Sequence, residues 1–391
     1  MINLITYEEL QQYGKMTNSI LYVKKGFEIE RESKSEMQCI LVRTLSCYTG
    51  NEAPRIYFEL TVQGQDKSIY KSPIYNIGQK DEYTCQSWRV PPMFLPGMKM
   101  TMTVDVPDGT VLKICNMSAE HSSYVKDWNE GGLRHNAHLG FWGIAPDNTM
   151  PAFELAAICG FPACIVVPKV TADGILVCIH DDTINRTARD EFGNAPKEDK
   201  YVWNMTYEEL LKWEYGSYKN EIYKGTKIPR LEDFFALCSR TGMRPMFSTH
   251  PGLTVEQWGQ VKDMLIRHGL LKNFHIKSFE LDILKTAYTV FGTSIDGYTW
   301  DNDRWEEGKA EETLDINALL EVGIDSTKCR VGIEIPLRDY TESIARKIID
   351  AGLFAAAFDV KNPTTEDYKR LISYGVTEFT EDYHCSMGLN W

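Results

Sequence analysis

The sequence predicts an α/β protein in which a (β/α)8 TIM barrel follows an N-terminal antiparallel β-sandwich. Three observations predict it. Upstream of residue 125 apolar and polar residues alternate at period two, which marks half-buried antiparallel strands. Downstream, apolar runs alternate with amphipathic helical stretches over about 250 residues, the length and rhythm of a closed barrel. Between them Lys126-Asp-Trp-Asn-Glu-Gly-Gly-Leu-Arg134 reads as a polar linker with paired glycines. Two domains are expected, 1–130 a jelly-roll-like accessory sandwich and 131–391 the barrel.

In the first domain Ile56, Phe58, Leu60 and Val62 alternate with Tyr57, Glu59 and Thr61. Met98, Met100, Met102, Val104 and Val106 alternate with Lys99, Thr101, Thr103 and Asp105. Turns at Gly64, Pro91-Pro92, Pro96-Gly97 and Pro107-Asp-Gly109 separate the strands. In the second domain, helices are expected at 151–159, 207–213, 255–268 and 341–351, each following an apolar run. No internal repeat and no low-complexity segment interrupts the pattern.

Composition narrows the function classes. A net charge of −13 argues against a broad nucleic-acid surface, because phosphate backbones are bound by clustered Lys and Arg. A phosphate ligand therefore needs a local positive site. The 10 cysteines are scattered singly, with no CxxC pair, and several lie in apolar runs where free Cys acts as a small hydrophobe. The first ten residues lack the basic region and apolar core of a signal peptide. No apolar run approaches the ~18 residues that span a bilayer. A cytoplasmic protein as synthesised is expected, with no membrane span; a phage-tail or surface role is compatible.

The chemistry-bearing motifs run in order. They are His138-Leu-Gly, Pro146-Asp-Asn-Thr149, Ala152-Phe-Glu-Leu-Ala-Ala-Ile-Cys-Gly160 and Thr171-Ala-Asp-Gly174, leading to His180-Asp-Asp-Thr183. Asn185-Arg-Thr187, Thr206-Tyr-Glu-Glu-Leu210, Ile228-Pro-Arg-Leu-Glu-Asp233, Ser278-Phe279, Phe358-Asp-Val-Lys361 and Gly375-Val-Thr-Glu-Phe-Thr-Glu-Asp382 follow. This succession resembles the glycerophosphodiester phosphodiesterase family of phospholipase C-like barrels, whose pattern runs HRG, PENT, ExD, T-x-DG, HD and, late in the chain, WTVN and GVDGIITD. The resemblance covers the whole second domain.

The resemblance implies roles. His138 and His180 take the positions of the family's catalytic acid and base, to which the near-neutral titration of imidazole suits them. His138 is expected at the end of the first barrel strand, His180 of the third and His250 of the fourth. The positions of the family's metal-binding carboxylates fall on Ile165, Val167 and Ser248, and its HRG arginine on Leu139. Hard cations need oxygen ligands that aliphatic side chains do not supply, so no metal site is expected there. Calcium or magnesium would require ligands rebuilt from acidic residues such as Asp181, Glu334, Asp359, Glu381 or Asp382. Lys169, His250 and Lys361 are candidates for the positive charge a phosphate needs, and Trp300 and Phe358 for an apolar wall.

The expected function is a degenerate phosphodiesterase-like barrel that binds a glycerol- or polyol-phosphodiester at its mouth with little or no metal-dependent hydrolysis. Two alternatives stand beside it. One is an active phosphoric diester hydrolase that works through His138 and His180 with a side-chain cation or a rebuilt metal site. The other is a structural or adhesion module whose N-terminal domain binds carbohydrate.

Overall fold

A computed structural model describes residues 5–32, 39–65, 68–72, 74–91, 97–122, 133–250, 252–302, 314–358 and 365–381. Contacts divide the chain into two compact units, one built on residues 1–124 and the other on 125–361 and 366–382. The N-terminal unit holds a six-stranded and a five-stranded sheet, mostly antiparallel. Their facing sides supply its core, with Ile56, Phe58, Leu60, Met98, Met100, Met102 and Val104 all buried. Phe58 of one sheet lies 6.3 Å from Trp88 of the other, ring to ring. The period-two pattern therefore marks one inward face per strand, as expected.

The second unit is a closed barrel of parallel strands. Its strands are β1 (Arg134–Ala137), β2 (Ala163–Val166), β3 (Arg244–Ser248), β4 (His275–Ser278), β5 (Gly297–Asp301), β6 (Arg330–Pro336), β7 (Phe354–Phe358) and β8 (Glu378–Glu381). Around it lie α1 (Met150–Ile158), α2 (Leu231–Thr241), α3 (Val255–Arg267), α4 (Leu281–Phe291), α5 (Ile316–Glu321), α6 (Glu342–Asp350) and α7 (Thr365–Tyr374). Local chemistry sets their ends. Thr254 and Gln257 form a reciprocal capping box at the start of α3, and Gly242 closes α2 in the left-handed conformation at φ 74°. Among the described residues no helix is long and apolar enough to cross a membrane.

Strand register fixes what faces the barrel interior. Asn136 pairs with Ala163, Ile165 with Met246, Ser248 with Lys277, Asp301 with Glu334, and Phe358 with Thr380. Because side chains alternate across a strand, His138, Ile165, Val167, Met246, Ser248, Lys277, Asp301, Glu334 and Phe358 share the inner face. Tyr298 and Trp300 share the outer face of β5, where Tyr298 packs edge-on against Tyr288 of α4 at 5.7 Å.

One expectation of strand order is corrected. The segment before His180 is not the third barrel strand. After β2 the chain leaves the barrel at Pro168, and Pro168–Val170 pairs antiparallel with Leu176–Cys178 as a hairpin. Proline has no N–H to continue the ladder, and the Val167 amide instead donates to Asn148 Oδ1 at 2.9 Å. The third barrel strand is therefore β3, and His250 follows it, not a fourth strand.

Candidate active site

Catalytic groups of a parallel barrel gather where strands end and loops begin, and the described candidates lie there. His138 comes one residue after β1, its amide donating to the Glu381 carbonyl at the end of β8 (3.0 Å). The following residues make a tight turn. Leu139 adopts φ 53°, a conformation that costs a branched side chain about 1–2 kcal/mol, and its carbonyl accepts from the Asn148 amide at 2.9 Å. At Gly140, with φ +85°, a Cβ would meet that of Ala152 at 2.6 Å. The His138 ring stands edge-on to Phe358 (5.1 Å) and Trp142 (5.7 Å).

His180 reaches the same region through the hairpin, because the Ile179 amide returns to the Val167 carbonyl at 3.0 Å. Its Nδ1 donates to Asp181 Oδ1 at 2.7 Å while the ring stays half-exposed. That bond fixes the tautomer and leaves Nε2 to exchange a proton with a ligand. Asp181 is held by Arg186, whose Nε is 2.7 Å from Oδ2. The same guanidinium is bidentate to buried Asp147, at 3.0 and 2.9 Å. Burial alone would raise the carboxyl of Asp181, but His180 and Arg186 outweigh it and hold it well below the usual carboxylate range. Asp147 is likewise held down against burial by Arg186, and the Tyr218 hydroxyl donates to it. Asp147, Asp181 and Arg186 lie inside motifs read from sequence, but that reading gave Asp147 and Arg186 no role and took Asp181 only as a possible metal ligand; their places in the Pro146-Asp, His180-Asp and Asn185-Arg motifs were the available signal.

Two of the three positions that the resemblance assigns to metal-binding carboxylates, Ile165 and Val167, are buried and apolar, and the third is Ser248. Leu139, Ile165, Val167 and Met246 form one buried cluster, with Trp142 packed against it. Such a wall offers a divalent ion no oxygen donor. The acidic residues considered as replacements are already engaged: Asp181 by His180 and Arg186, Glu334 by Lys277, and Glu381 by His135 at 2.8 Å. Glu381 is turned outward, since it shares strand parity with Phe379, which packs against Tyr368 of α7. Asp359 and Asp382 lie outside the described residues. Among the described residues no group of three or more His, Cys, Asp or Glu is arranged to hold an ion. The described residues at these positions do not fit a calcium or magnesium site.

The proposed ligand contacts divide. Lys169 is buried, with Nζ 2.6 Å from Asp182 Oδ1 and 2.7 Å from the His250 carbonyl, so its charge already has a partner. The exposed His250 ring lies 3.6 Å from Glu280. Phe358 ends β7 beside His138. Trp300 is half-buried on the outer face of β5, its indole N–H donating to the Phe279 carbonyl at 3.1 Å. Lys361 lies outside the described residues. The sequence reading missed Lys277. This buried lysine of β4 lies 2.8 Å from Asp301 and bonds Glu334, with its ammonium 5.3 Å from the centre of the Phe358 ring.

Among the described residues the barrel mouth thus holds two histidines, His138 and His180, the second oriented by Asp181. The glycerophosphoryl diester phosphodiesterase family model matches residues 138–383. The chain belongs to that family. It is 35% identical over 101 residues to a glycerophosphodiester phosphodiesterase of Caldanaerobacter subterraneus, covering 26% of this chain and 38% of that protein. It is 30% identical over 156 residues to one from Bacillus altitudinis, covering 37% and 59% respectively. The alignments thus span less than two thirds of those relatives' length. A phosphodiesterase of Oleispira antarctica, solved with the product sn-glycerol-3-phosphate, shares the fold with TM-score 0.52 and 23% identity, over 64% of this chain and 94% of that one.

Proposed function

We propose that the barrel binds a glycerol- or polyol-phosphodiester at its mouth and has lost metal-dependent hydrolysis. One observation carries the reading: Ile165 and Val167, at two of the positions the resemblance assigns to carboxylates, are packed into an apolar cluster with Leu139 and Met246, beside a His180–Asp181–Arg186–Asp147 network. The aliphatic wall removes the electrophile, which is often the largest contribution to phosphoryl transfer. The histidine network keeps the polar groups that would meet a phosphate and its alcohol. The glycerol phosphate bound by the Oleispira relative indicates the class of ligand. Phe358 supplies an apolar surface beside His138 for the carbon skeleton.

A second reading is favoured by the His180 geometry. A half-exposed imidazole whose Nδ1–H is held by an ionised carboxylate is built for proton transfer, and metal-independent hydrolysis would use it. In that chemistry one histidine accepts the proton of water or of the substrate's adjacent hydroxyl, and the other protonates the departing alkoxide.

Hydrolysis of glycerophosphodiesters, measured in EDTA and again with added calcium or magnesium, tests both. The first reading expects no turnover in either condition together with phosphate-ligand binding. Turnover in EDTA that disappears in His180→Ala supports the second. Turnover that appears only with a divalent ion contradicts both.

A further inference from the structure

The barrel interior contains a charge cluster that a structural lysine alone does not explain. Lys277 lies on the inner face of β4, directly paired with Ser248, the residue in the position of the family's third metal-binding carboxylate. Its side chain is almost fully buried, as are those of Asp301 and Glu334. One N–H meets Asp301 at 2.8 Å, another meets Glu334, and the remaining face of the ammonium looks onto the Phe358 ring. Glu334 also accepts from Thr380 at 2.6 Å. Phe358 in turn touches His138, so the ammonium sits one aromatic ring below the mouth. Burial works against a charged lysine, but the two carboxylates outweigh it and hold Lys277 protonated above its ordinary range.

We propose that Lys277 is a tethered cation that takes over the charge-neutralising place of a divalent ion in this barrel. The same interior has exchanged oxygen ligands at 165, 167 and 248 for neutral side chains while placing a fixed positive charge one strand from Ser248, between two carboxylates. A buried carboxylate pair requires a cation nearby, and here the chain supplies its own. The interior is thereby made independent of metal supply. This inference rests on the reading that Ile165, Val167 and Ser248 stand at the former ligand positions; it does not depend on which phosphodiester is bound.

Removing the ammonium opens a space beside the Asp301 and Glu334 carboxylates that a divalent ion could fill with water as further ligands. The test is thermal unfolding of the full chain with EDTA or with excess calcium, magnesium or manganese. The wild type is expected to melt at the same temperature in all conditions. Lys277→Ala is expected to melt lower in EDTA and to recover by about 5 °C or more with a divalent ion. Lys277→Ala/Asp301→Asn is expected to lose that recovery. A wild type stabilised by the ion and destabilised by EDTA overturns the proposal, and so does a folded Lys277→Ala indifferent to every ion. If Lys277→Ala is folded in no condition, wild-type terbium luminescence decides: emission sensitised in the barrel and displaced by calcium contradicts a self-neutralised interior, and its absence supports one. Failure to bind glycerol phosphate would overturn the functional reading and leave this outcome unchanged.

Discussion

Ile165, Val167 and Met246 carry no group that can hold a metal or a phosphate, yet they occupy the wall of the mouth, fully buried and in mutual contact. Their contribution is to packing. Ile165→Ala is expected to lower stability by about 2–5 kcal/mol in urea unfolding, and a loss under about 1 kcal/mol would mean that the wall is not packed as described. Lys277 works by charge. Lys277→Met removes the buried ammonium that Asp301 and Glu334 share and is expected to cost about 3–5 kcal/mol, measured in the same way. His180 depends on Asp181. A hydrogen bond to a charged group contributes about 1.5–3 kcal/mol, so Asp181→Asn is expected to weaken glycerol-phosphate binding about ten- to a hundredfold by calorimetry. Unchanged affinity would remove His180 orientation from the account.

At the scale of elements, the segment between β2 and α2 does the positioning. Its hairpin carries His180 back to the end of β2, and its own core of Val177, Ile179, Ile184, Ala188, Val202, Leu210, Tyr215 and Ile228 makes it a small packed body. Arg186 and Tyr218 clamp it to Asp147 in the loop after β1. Arg186→Met releases one of those clamps, and limited proteolysis is expected to cut faster within residues 179–230 while the barrel strands stay protected. The barrel itself was legible in the sequence because strand and helix periods alternate visibly, and four expected helices lie within two residues of the observed ones except at the end of the 207–213 stretch. The hairpin was not, because Pro168-Lys-Val170 and Leu176-Val-Cys178 carry the same apolar signal as barrel strands and only tertiary pairing separates them. Lys277 was half-legible. In His275-Ile-Lys-Ser278 two ionisable residues alternate within an otherwise apolar run, which places both on one face of a buried strand.

Across the whole barrel, charge is organised at the two ends. At the strand starts, Arg134, Arg244 and Arg330 surround Asp296, and Arg244 and Arg330 also bond Glu378. Burial alone would raise both carboxyls; the His275 hydrogen bond and Arg244 at Asp296, and Arg244 and Arg330 at Glu378, outweigh it and hold each down to about 2. His275 and His135 are lowered as well, but in their case by burial itself. His275 is therefore read as neutral, donating from Nδ1 to Asp296 and accepting at Nε2 from Thr299 at 2.8 Å. All four groups bind fewer protons folded than unfolded, so their stabilisation is complete above the unfolded values and lost as pH falls. Melting temperature is expected to decline below about pH 6.5 as the histidines protonate in the unfolded chain, and again between about pH 4 and 2 for the carboxylates. A flat profile from pH 7 to 5 would contradict the histidine assignment. The central claim, that the mouth takes a polyol phosphate without a metal ion, is tested most directly by calorimetric titration of sn-glycerol 3-phosphate into the full chain in EDTA. The account predicts saturable binding at one site that is lost in His138→Ala and His180→Ala; no binding in EDTA, with binding restored by calcium or magnesium, would contradict it.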